Sequence, residues 1–288
     1  MRSKLLVGNQ RLVWKRVSSQ LTNGIMISFN NLGNLGRLAN QMFQYASLKG
    51  IAKKNRHSFA IPPREVFGQI DANVRNSDLI LYDVFDLESK NTVGLCENNM
   101  ILTERMHTFD EELFTRCPDN IDLQGYFQTE KYFKHIEDEI REDFKFKDDL
   151  LELCKSFITE DTISLHIRRG DYVSNPNHPT QDASYYETGL AKLPEDIPVI
   201  VFSDDPTWCN KQPMFEDDRF LISDGNSTDC DLCLMSLCKY HIIANSSYSW
   251  WGAWLANSEK VIAPRNWFGG ECVNKSTEDM MFDNFEFL

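Results

Sequence analysis

The feature that most constrains this 288-residue chain is a repeated pattern, in which a short apolar run precedes a polar loop and then a stretch of helical periodicity. Continuous apolar runs are typical of strands that are buried on both faces of a parallel sheet between layers of helices. The runs cover residues 25–29, 162–167, 198–202, 241–244 and 260–263, and residues 40–55 have the pattern of a helix. The sequence therefore predicts an α/β fold with parallel sheets.

The organisation of the chain is predicted from its length and from one acidic stretch. With 42% hydrophobic residues in 33.4 kDa, the chain can bury one large core or two medium ones. The charged, helix-like stretch over residues 130–160 is the expected join. We therefore predict a basic extension over residues 1–24, an N-terminal domain over residues 25–155 and a C-terminal domain over residues 156–288.

The charge excludes two classes of partner. The chain carries 30 Lys and Arg against 43 Asp and Glu, a net charge of −13, whereas nucleic acids and anionic membranes attract positive surfaces. The basic residues are concentrated in residues 1–64, which contain no Asp or Glu. No apolar run approaches the roughly 18 residues that span a bilayer, so membrane association would be peripheral. Eight Cys suggest reduced thiols, and we expect a cytoplasmic protein.

The loop after residue 167 contains two adjacent arginines. Arg168 and Arg169 cannot both point into a hydrophobic layer, and a guanidinium group binds a phosphate through two parallel hydrogen bonds. Gly170 permits a turn there, and Asp171 would orient an arginine or hold that turn. The loop is consistent with a phosphate site or with a surface ion pair. An Arg-Gly-Asp adhesion loop fits poorly after a buried strand.

Paired carboxylates follow the run over residues 198–202. Asp204 and Asp205 could bind a divalent cation or accept hydrogen bonds from the N–H groups of a guanine ring. One of them could instead cap a short helix that begins with Pro206. The sequence leaves these three roles open.

Small polar residues follow the run over residues 241–244. Ser246 and Ser247 precede a helix-like stretch, and the N–H groups at the start of a helix can bind phosphate without a basic residue. The tryptophans of this stretch, Trp250, Trp251 and Trp254, are predicted to belong to the core.

A cluster of cysteines and a histidine has two interpretations. Cys230, Cys233, Cys238 and His241 include residue types that bind zinc. If residues 230–241 form one helix, however, these side chains lie on its apolar stripe, and we favour a core helix over a zinc site.

Four segments in this order resemble the galactoside α-1,2-fucosyltransferase family, glycosyltransferase family 11. The segments are residues 36–46, 166–173, 202–205 and 244–255, within a resemblance that extends from about residue 25 to 268. It implies a GT-B-like fold of two Rossmann-like domains, with GDP-fucose bound mainly by the C-terminal domain and the acceptor near the N-terminal one. The implied reaction is an inverting transfer of fucose to the 2-hydroxyl of a terminal galactose in a glycan, without a cofactor or an essential metal.

The resemblance also implies roles for individual residues. Arg168 would hold the β-phosphate and assist the departure of GDP, and Asp171 is the second expected catalytic residue. The expected substrate-binding residues are Asn40, His166, Arg169, Asp204, Asp205, Ser246, Ser247 and Tyr248. Of these, His166 and one of the two aspartates would contact guanosine, Ser246 and Ser247 phosphate, and Asn40 the phosphate or the fucose.

One position departs from the family pattern. Ala39 stands where the family usually has glycine, which is costly if that residue needs a positive φ and harmless if a helix has already begun.

Three questions about the reaction stay open. Asp171, His178, Asp182 and Glu187 are all candidates for the base that accepts the acceptor's proton. A fucosyltransferase of another linkage, or a metal-dependent sugar transferase using Asp204 and Asp205, remains an alternative. A carbohydrate- or nucleotide-binding protein without catalysis is another.

Overall fold

The computed structural model describes residues 26–64, 79–96, 100–105, 107–158 and 161–288. The chain forms two compact units, which divide between Phe144 and Lys145, inside the acidic stretch. The proposed extension over residues 1–24 lies outside the described residues. Within those residues, no helix combines the length and the apolar character needed to cross a membrane.

The first unit contains a four-stranded parallel sheet in the order β2-β1-β4-β3. Its strands are β1 (Met26–Ser28), β2 (Ser58–Ala60), β3 (Met100–Thr103) and β4 (Ile121–Gln124). Its α-helices are α1 (Leu38–Asn55), α2 (Leu81–Val84), α3 (Glu111–Arg116) and α4 (Glu137–Asp143), with 3-10 turns at Glu130–Tyr132 and Lys134–Ile136. Helix α1 is largely buried, and Arg56, which follows its last residue, has a left-handed backbone with φ 59°.

The second unit contains a six-stranded parallel sheet in the order β10-β9-β8-β5-β6-β7. Its strands are β5 (Ile163–Ile167), β6 (Val199–Ser203), β7 (Phe220–Ile222), β8 (Tyr240–Ile242), β9 (Lys260–Ala263) and β10 (Phe285–Phe287). Its α-helices are α5 (Asp148–Phe157), α6 (Ala183–Leu190), α7 (Pro206–Cys209), α8 (Thr228–Leu237) and α9 (Ser247–Leu255). Short 3-10 turns lie at Gly170–Ser174, Pro213–Phe215, Gly270–Cys272 and Glu278–Met280. Counted from β5, this is the Rossmann strand order. The chain adds β6 and β7 on one side of β5 and then returns to add β8, β9 and β10 on the other side, so the strand order reverses between β5 and β8.

The structure confirms the α/β fold and places a strand in each of the five apolar runs. The three tryptophans of α9 are 0–1% exposed, as expected for core residues. The prediction of one helix over residues 230–241 is wrong. Helix α8 ends at Leu237, Cys238 is extended, and His241 lies in β8, where its ring is bonded to Ser258 Oγ and the Met235 carbonyl. No group of three potential metal ligands occurs among the described residues.

Candidate active site

Three loops of the second unit meet at the carboxyl edge of its sheet. They follow β5, β6 and β8, and β5 is hydrogen-bonded to both of the other strands. The strand order reverses between β5 and β8, and doubly wound sheets bind ligands outside the carboxyl ends of their strands at such a switch point. The loops contain residues 168–172, 204–205 and 245–247, which include most of the predicted site residues.

Arg168 lies between two carboxylates at this edge. Its guanidinium group is bonded to Asp171 and lies 2.8 Å from Asp204 Oδ2, and it is 5.1 Å from the centre of the Tyr172 ring. The side chain is 20% exposed, so the ion pairs are shielded from water more than those of a surface arginine. An anionic ligand can therefore bind Arg168 by taking the place of a carboxylate.

Arg169 is held by the second aspartate and by an aromatic ring. Its Nε lies 3.2 Å from Asp205 Oδ2, and the guanidinium group stacks 4.1 Å above the centre of the Trp208 ring. Its backbone N–H donates to Asp204 Oδ1 at 2.8 Å. A Cβ at Gly170 would collide with Asp204 Oδ2, so this close approach of loop and carboxylate requires glycine.

The two aspartates therefore have different partners. Asp205 Oδ1 accepts a hydrogen bond from the Trp208 N–H at 3.1 Å and caps α7, which begins with Pro206. Capping is one of the three roles that the sequence leaves open for this pair. Both oxygens of Asp204 are occupied by groups of Arg168 and Arg169. A divalent cation would have to displace positive or N–H donors from these carboxylates.

The start of α9 follows the third of these loops. Ser246 is its N-cap, and the hydroxyl accepts a hydrogen bond from the Tyr248 N–H at 3.3 Å. The side chain of Asn245 donates to the carbonyls of Pro179 and Trp267, both at 3.0 Å, which fixes the loop before the helix. The first turn thus presents the positive end of a nine-residue helix dipole, together with Ser247.

His166 and Tyr248 lie beneath this surface. His166 is 4% exposed, and its Nδ1 forms a hydrogen bond of 2.8 Å with Ser249 Oγ in α9. Burial lowers the pKa of His166 to about 3, with a further contribution from Arg168, so the imidazole is neutral at pH 7. The Tyr248 hydroxyl donates to the Thr228 carbonyl at 2.6 Å. Both side chains anchor α9 to its neighbours.

The candidate bases differ in how far they are already engaged. Asp182 caps α6 by accepting from the Tyr185 N–H and from the Ser184 hydroxyl, and these bonds lower its pKa. The His178 ring stacks on Tyr172 at 5.1 Å, and partial burial lowers the pKa of His178. The Asp171 side chain is 65% exposed beside Arg168. Asp171 and His178 thus lie close to the arginines and to Tyr172, whereas Asp182 is the N-cap of α6.

The predicted residue of the first unit lies on α1. Asn40 Oδ1 accepts a hydrogen bond from Gln128 Nε2 at 2.7 Å. Gly36 has φ +87°, and a Cβ there would collide with the Asn40 side chain. Ala39 lies inside α1, which begins at Leu38, so the departure from the family pattern carries no backbone strain.

A buried glutamine that sequence reasoning missed joins two loops of this unit. Gln44 Nε2 lies 3.0 Å from the Leu35 carbonyl and 3.1 Å from that of Gly125, and Gln44 Oε1 accepts from the Gly33 N–H at 3.5 Å. Gln44 therefore ties the loop after β1 to the loop after β4. Its only signal in the sequence is a polar residue four positions after Asn40, on the same face of a helix.

Comparisons with known proteins identify the family of the chain. A family model described as glycosyl transferase family 11 matches residues 1–285. The chain is 33% identical over 273 residues to an alpha-1,2-colitosyltransferase of Escherichia coli, covering 83% of this chain and 92% of that protein. It is 36% identical over 208 residues to the O-antigen biosynthesis glycosyltransferase WbnK of Escherichia coli (64% and 68% covered). Galactoside alpha-(1,2)-fucosyltransferase 2 of Bos taurus is 26% identical over 247 residues (79% and 69%).

Solved structures identify the fold. The fucosyltransferase NodZ from Bradyrhizobium matches with a TM-score of 0.52 at 12% identity, covering 83% of this chain and 96% of that one. POFUT1 in complex with GDP matches with a TM-score of 0.52 at 11% identity, covering 82% and 96%. The fold is GT-B-like, as expected from the sequence.

Proposed function

Because the chain belongs to glycosyltransferase family 11 and is a fucosyltransferase-like glycosyltransferase, we propose that it moves L-fucose from GDP-β-L-fucose to the 2-hydroxyl of a terminal galactose in a glycan. Relatives from Escherichia coli and Bos taurus whose names specify a 1,2 linkage support this choice of hydroxyl. POFUT1, whose structure contains GDP and has the same fold, supports a guanosine diphosphate donor.

The observation that carries the proposal is that Arg168 and Arg169 follow β5 and the start of α9 follows the adjoining strand β8, at the switch point of the second sheet. When the bond between fucose C1 and phosphate breaks, the electron pair goes to the GDP oxygen, and negative charge develops on the diphosphate. Fixed donors around that charge supply the largest stabilisation in such reactions. In the proposed reaction, Arg168 exchanges a carboxylate for the β-phosphate and stabilises the leaving GDP.

The acceptor reacts on the opposite face of the sugar. The galactose 2-oxygen bonds to C1 as the bond to GDP breaks, so the configuration at C1 inverts. The hydroxyl proton passes to a base, and in our proposal that base is Asp171. Asp171 is exposed at the loop and is bonded to the same arginine that would receive the phosphate. Donor binding would therefore release this carboxylate for proton transfer.

The reaction is proposed to need no metal ion. The carboxylate oxygens of Asp204 and Asp205 are bonded to arginines and to a helix N–H, which leaves them poorly suited to cation binding. Turnover is therefore expected to persist in excess EDTA. Complete loss of turnover in EDTA, with recovery on addition of Mg²⁺ or Mn²⁺, would support the metal-dependent alternative instead.

The direct test measures GDP release from GDP-fucose with a panel of galactosides, followed by linkage analysis of the product. We expect GDP release that depends on the acceptor and a product with fucose on the galactose 2-oxygen. A product with another linkage would still identify a fucosyltransferase but would refute transfer to the galactose 2-hydroxyl. Binding of GDP-fucose without GDP release for any acceptor would indicate a non-catalytic binding protein.

A second donor sugar is favoured by one relative. The alpha-1,2-colitosyltransferase is 33% identical to this chain over most of both proteins, and colitose is L-fucose without its 3-hydroxyl group. Parallel assays with GDP-fucose and GDP-colitose decide between the two donors. A larger kcat/KM for GDP-colitose would identify the chain as a colitosyltransferase.

A further inference from the structure

Tyr172 contacts both the arginine loop after β5 and the segment that precedes α9. The centre of its ring lies 5.1 Å from the guanidinium carbon of Arg168, within the range of a cation–π interaction. Its hydroxyl donates a hydrogen bond to the Asn245 carbonyl at 3.2 Å. Asn245 directly precedes Ser246, the N-cap of α9. One side chain thus connects the two groups that are proposed to hold the diphosphate.

The position of Tyr172 is fixed by its other neighbours. The residue lies in the 3-10 turn at Gly170–Ser174, and the His178 ring stacks on its ring at 5.1 Å with 26° between the two planes. Asn245 is 2% exposed and donates to two backbone carbonyls, so the group that accepts from Tyr172 is itself held in place. Burial raises the pKa of Tyr172 to about 12, so the hydroxyl is protonated and can donate at pH 7.

Arg168 has partners of two kinds, which respond differently to an anionic ligand. Asp171 and Asp204 are carboxylates, and a phosphate group can replace either of them because it accepts the same hydrogen bonds from a guanidinium group. The ring of Tyr172 is neutral, and its face attracts a cation without competing for those hydrogen bonds. The ring can therefore keep its contact with Arg168 while a carboxylate is exchanged for phosphate.

We propose that Tyr172 is a positioning residue that holds Arg168 in place while the diphosphate of the donor replaces a carboxylate partner. The inference rests on the proposed role of Arg168 in donor binding. The ring retains the guanidinium group, and the hydroxyl ties the ring to the segment before α9. A leucine at this position would fill similar space but would offer no aromatic face to the guanidinium group.

The test compares three tyrosine variants by calorimetric titration with GDP and by thermal unfolding. Tyr172→Phe keeps the ring and loses the hydroxyl bond, so GDP binding should weaken only about threefold. Tyr172→Leu also loses the cation–π contact, which should weaken GDP binding about tenfold more. Tyr185→Phe is the matched control, because the Tyr185 hydroxyl also donates to a backbone carbonyl, that of Ile243, at 2.6 Å. This control should lower the Tm and leave GDP affinity unchanged.

A double-mutant cycle checks that the effect of the ring passes through Arg168. In an Arg168→Ala background, Tyr172→Leu should weaken GDP binding no more than Tyr172→Phe does. Equal GDP affinities of these two variants when Arg168 is present, or an undiminished difference between them when it is absent, would overturn the inference. If Tyr172→Leu is unstable, Tyr172→Met, which also lacks a ring, takes its place. Normal GDP affinity in Arg168→Ala would instead refute the proposed donor site itself.

Discussion

The two units hold their site loops by different chemistry. In the first unit, Gln44 joins the loops after β1 and β4, and Gln128 in the second of these loops donates to Asn40 on α1. Two carboxylates also accept from backbone N–H groups of these loops, Asp122 from Asn30 and Glu104 from Tyr126 and Phe127. In the second unit, the loops after β5 and β6 are joined by ion pairs of Arg168 and Arg169 with aspartates. The same kind of strand-loop-helix architecture is thus fixed by hydrogen bonds of amides and carboxylates with backbone groups in one case, and by arginine–aspartate ion pairs in the other.

The difference indicates which loops can exchange their partners for a ligand. Amide hydrogen bonds to backbone carbonyls fix a loop in one geometry, and they are insensitive to salt and to pH. An arginine bonded to a carboxylate can instead trade it for a phosphate of similar geometry. We therefore expect a charged donor group to bind at the second unit and the preformed loop of the first unit to contact uncharged sugar groups.

The largest predicted effect concerns the arginine–aspartate ion pairs of the second unit. Arg168→Lys keeps the charge but loses the planar fork, so kcat/KM for GDP-fucose should fall about 100-fold or more. Arg265→Lys is the matched control, because Arg265 is an exposed arginine of the same unit, and its activity should stay normal. Steady-state kinetics on folded protein measure both. Near-normal turnover in Arg168→Lys would refute the assigned role.

The next prediction concerns the hydrogen bonds of Gln44 in the first unit. Gln44→Leu is similar in size but leaves the buried carbonyl of Gly125 and the half-buried carbonyl of Leu35 without their donor, which should cost about 2–4 kcal/mol of stability. Urea unfolding followed by far-UV circular dichroism measures the loss. Ser156→Ala provides a control with an exposed hydroxyl on α5. An unchanged unfolding midpoint would show that Gln44 does not hold these loops.

The sequence predicts the buried strands of the fold better than the exposed ones. The apolar runs around β5 and β6 are predictable because both faces of these strands are buried. Strands β2, β3 and β7 are short and partly exposed, so they lack a continuous apolar run. The helix predicted over residues 230–241 was wrong because a buried strand residue, His241, fell by chance on the helical stripe.

The site is predictable in its parts but not in its connections. Arg168 and Asp204 were found because each follows an apolar run, and polar residues at strand ends gather at one edge of a parallel sheet. Their ion pair was not predicted, since it depends on β5 and β6 being neighbours in the sheet. Gln44 was missed although it lies in one of the segments that resemble the family, because its role depends on the loops after β1 and β4 being close together in the fold.

A smaller effect concerns pH. Burial lowers the pKa of His166 to about 3 and that of His241 to about 4, against about 6.5 in an unfolded chain. Between pH 6.5 and 4, the unfolded chain binds protons that the folded chain does not, so stability should fall as the pH falls, by at most about 1.4 kcal/mol per pH unit for each histidine.

This loss can be measured on the second unit. Five of the six tryptophans lie after residue 145, so urea unfolding followed by tryptophan fluorescence reports on that unit. His241→Gln should be less stable at pH 7 but should show a shallower decline towards pH 4.5. Parallel declines for the two proteins would show that His241 is protonated equally in the folded and unfolded states.

The smallest predicted effect is the salt dependence of KM, which can be measured without disrupting either unit. Salt screens exposed charges over about 10 Å at 0.1 M, so the KM for GDP-fucose should rise a few-fold between about 50 and 500 mM NaCl. The KM for an uncharged galactoside should hardly change, because amides and sugar hydroxyls carry no net charge. Gln128→Ala removes the hydrogen bond to Asn40 and should alter turnover without altering the salt dependence of the donor KM. If both KM values rose equally with salt, the assignment of charged and neutral groups to the two units would fail.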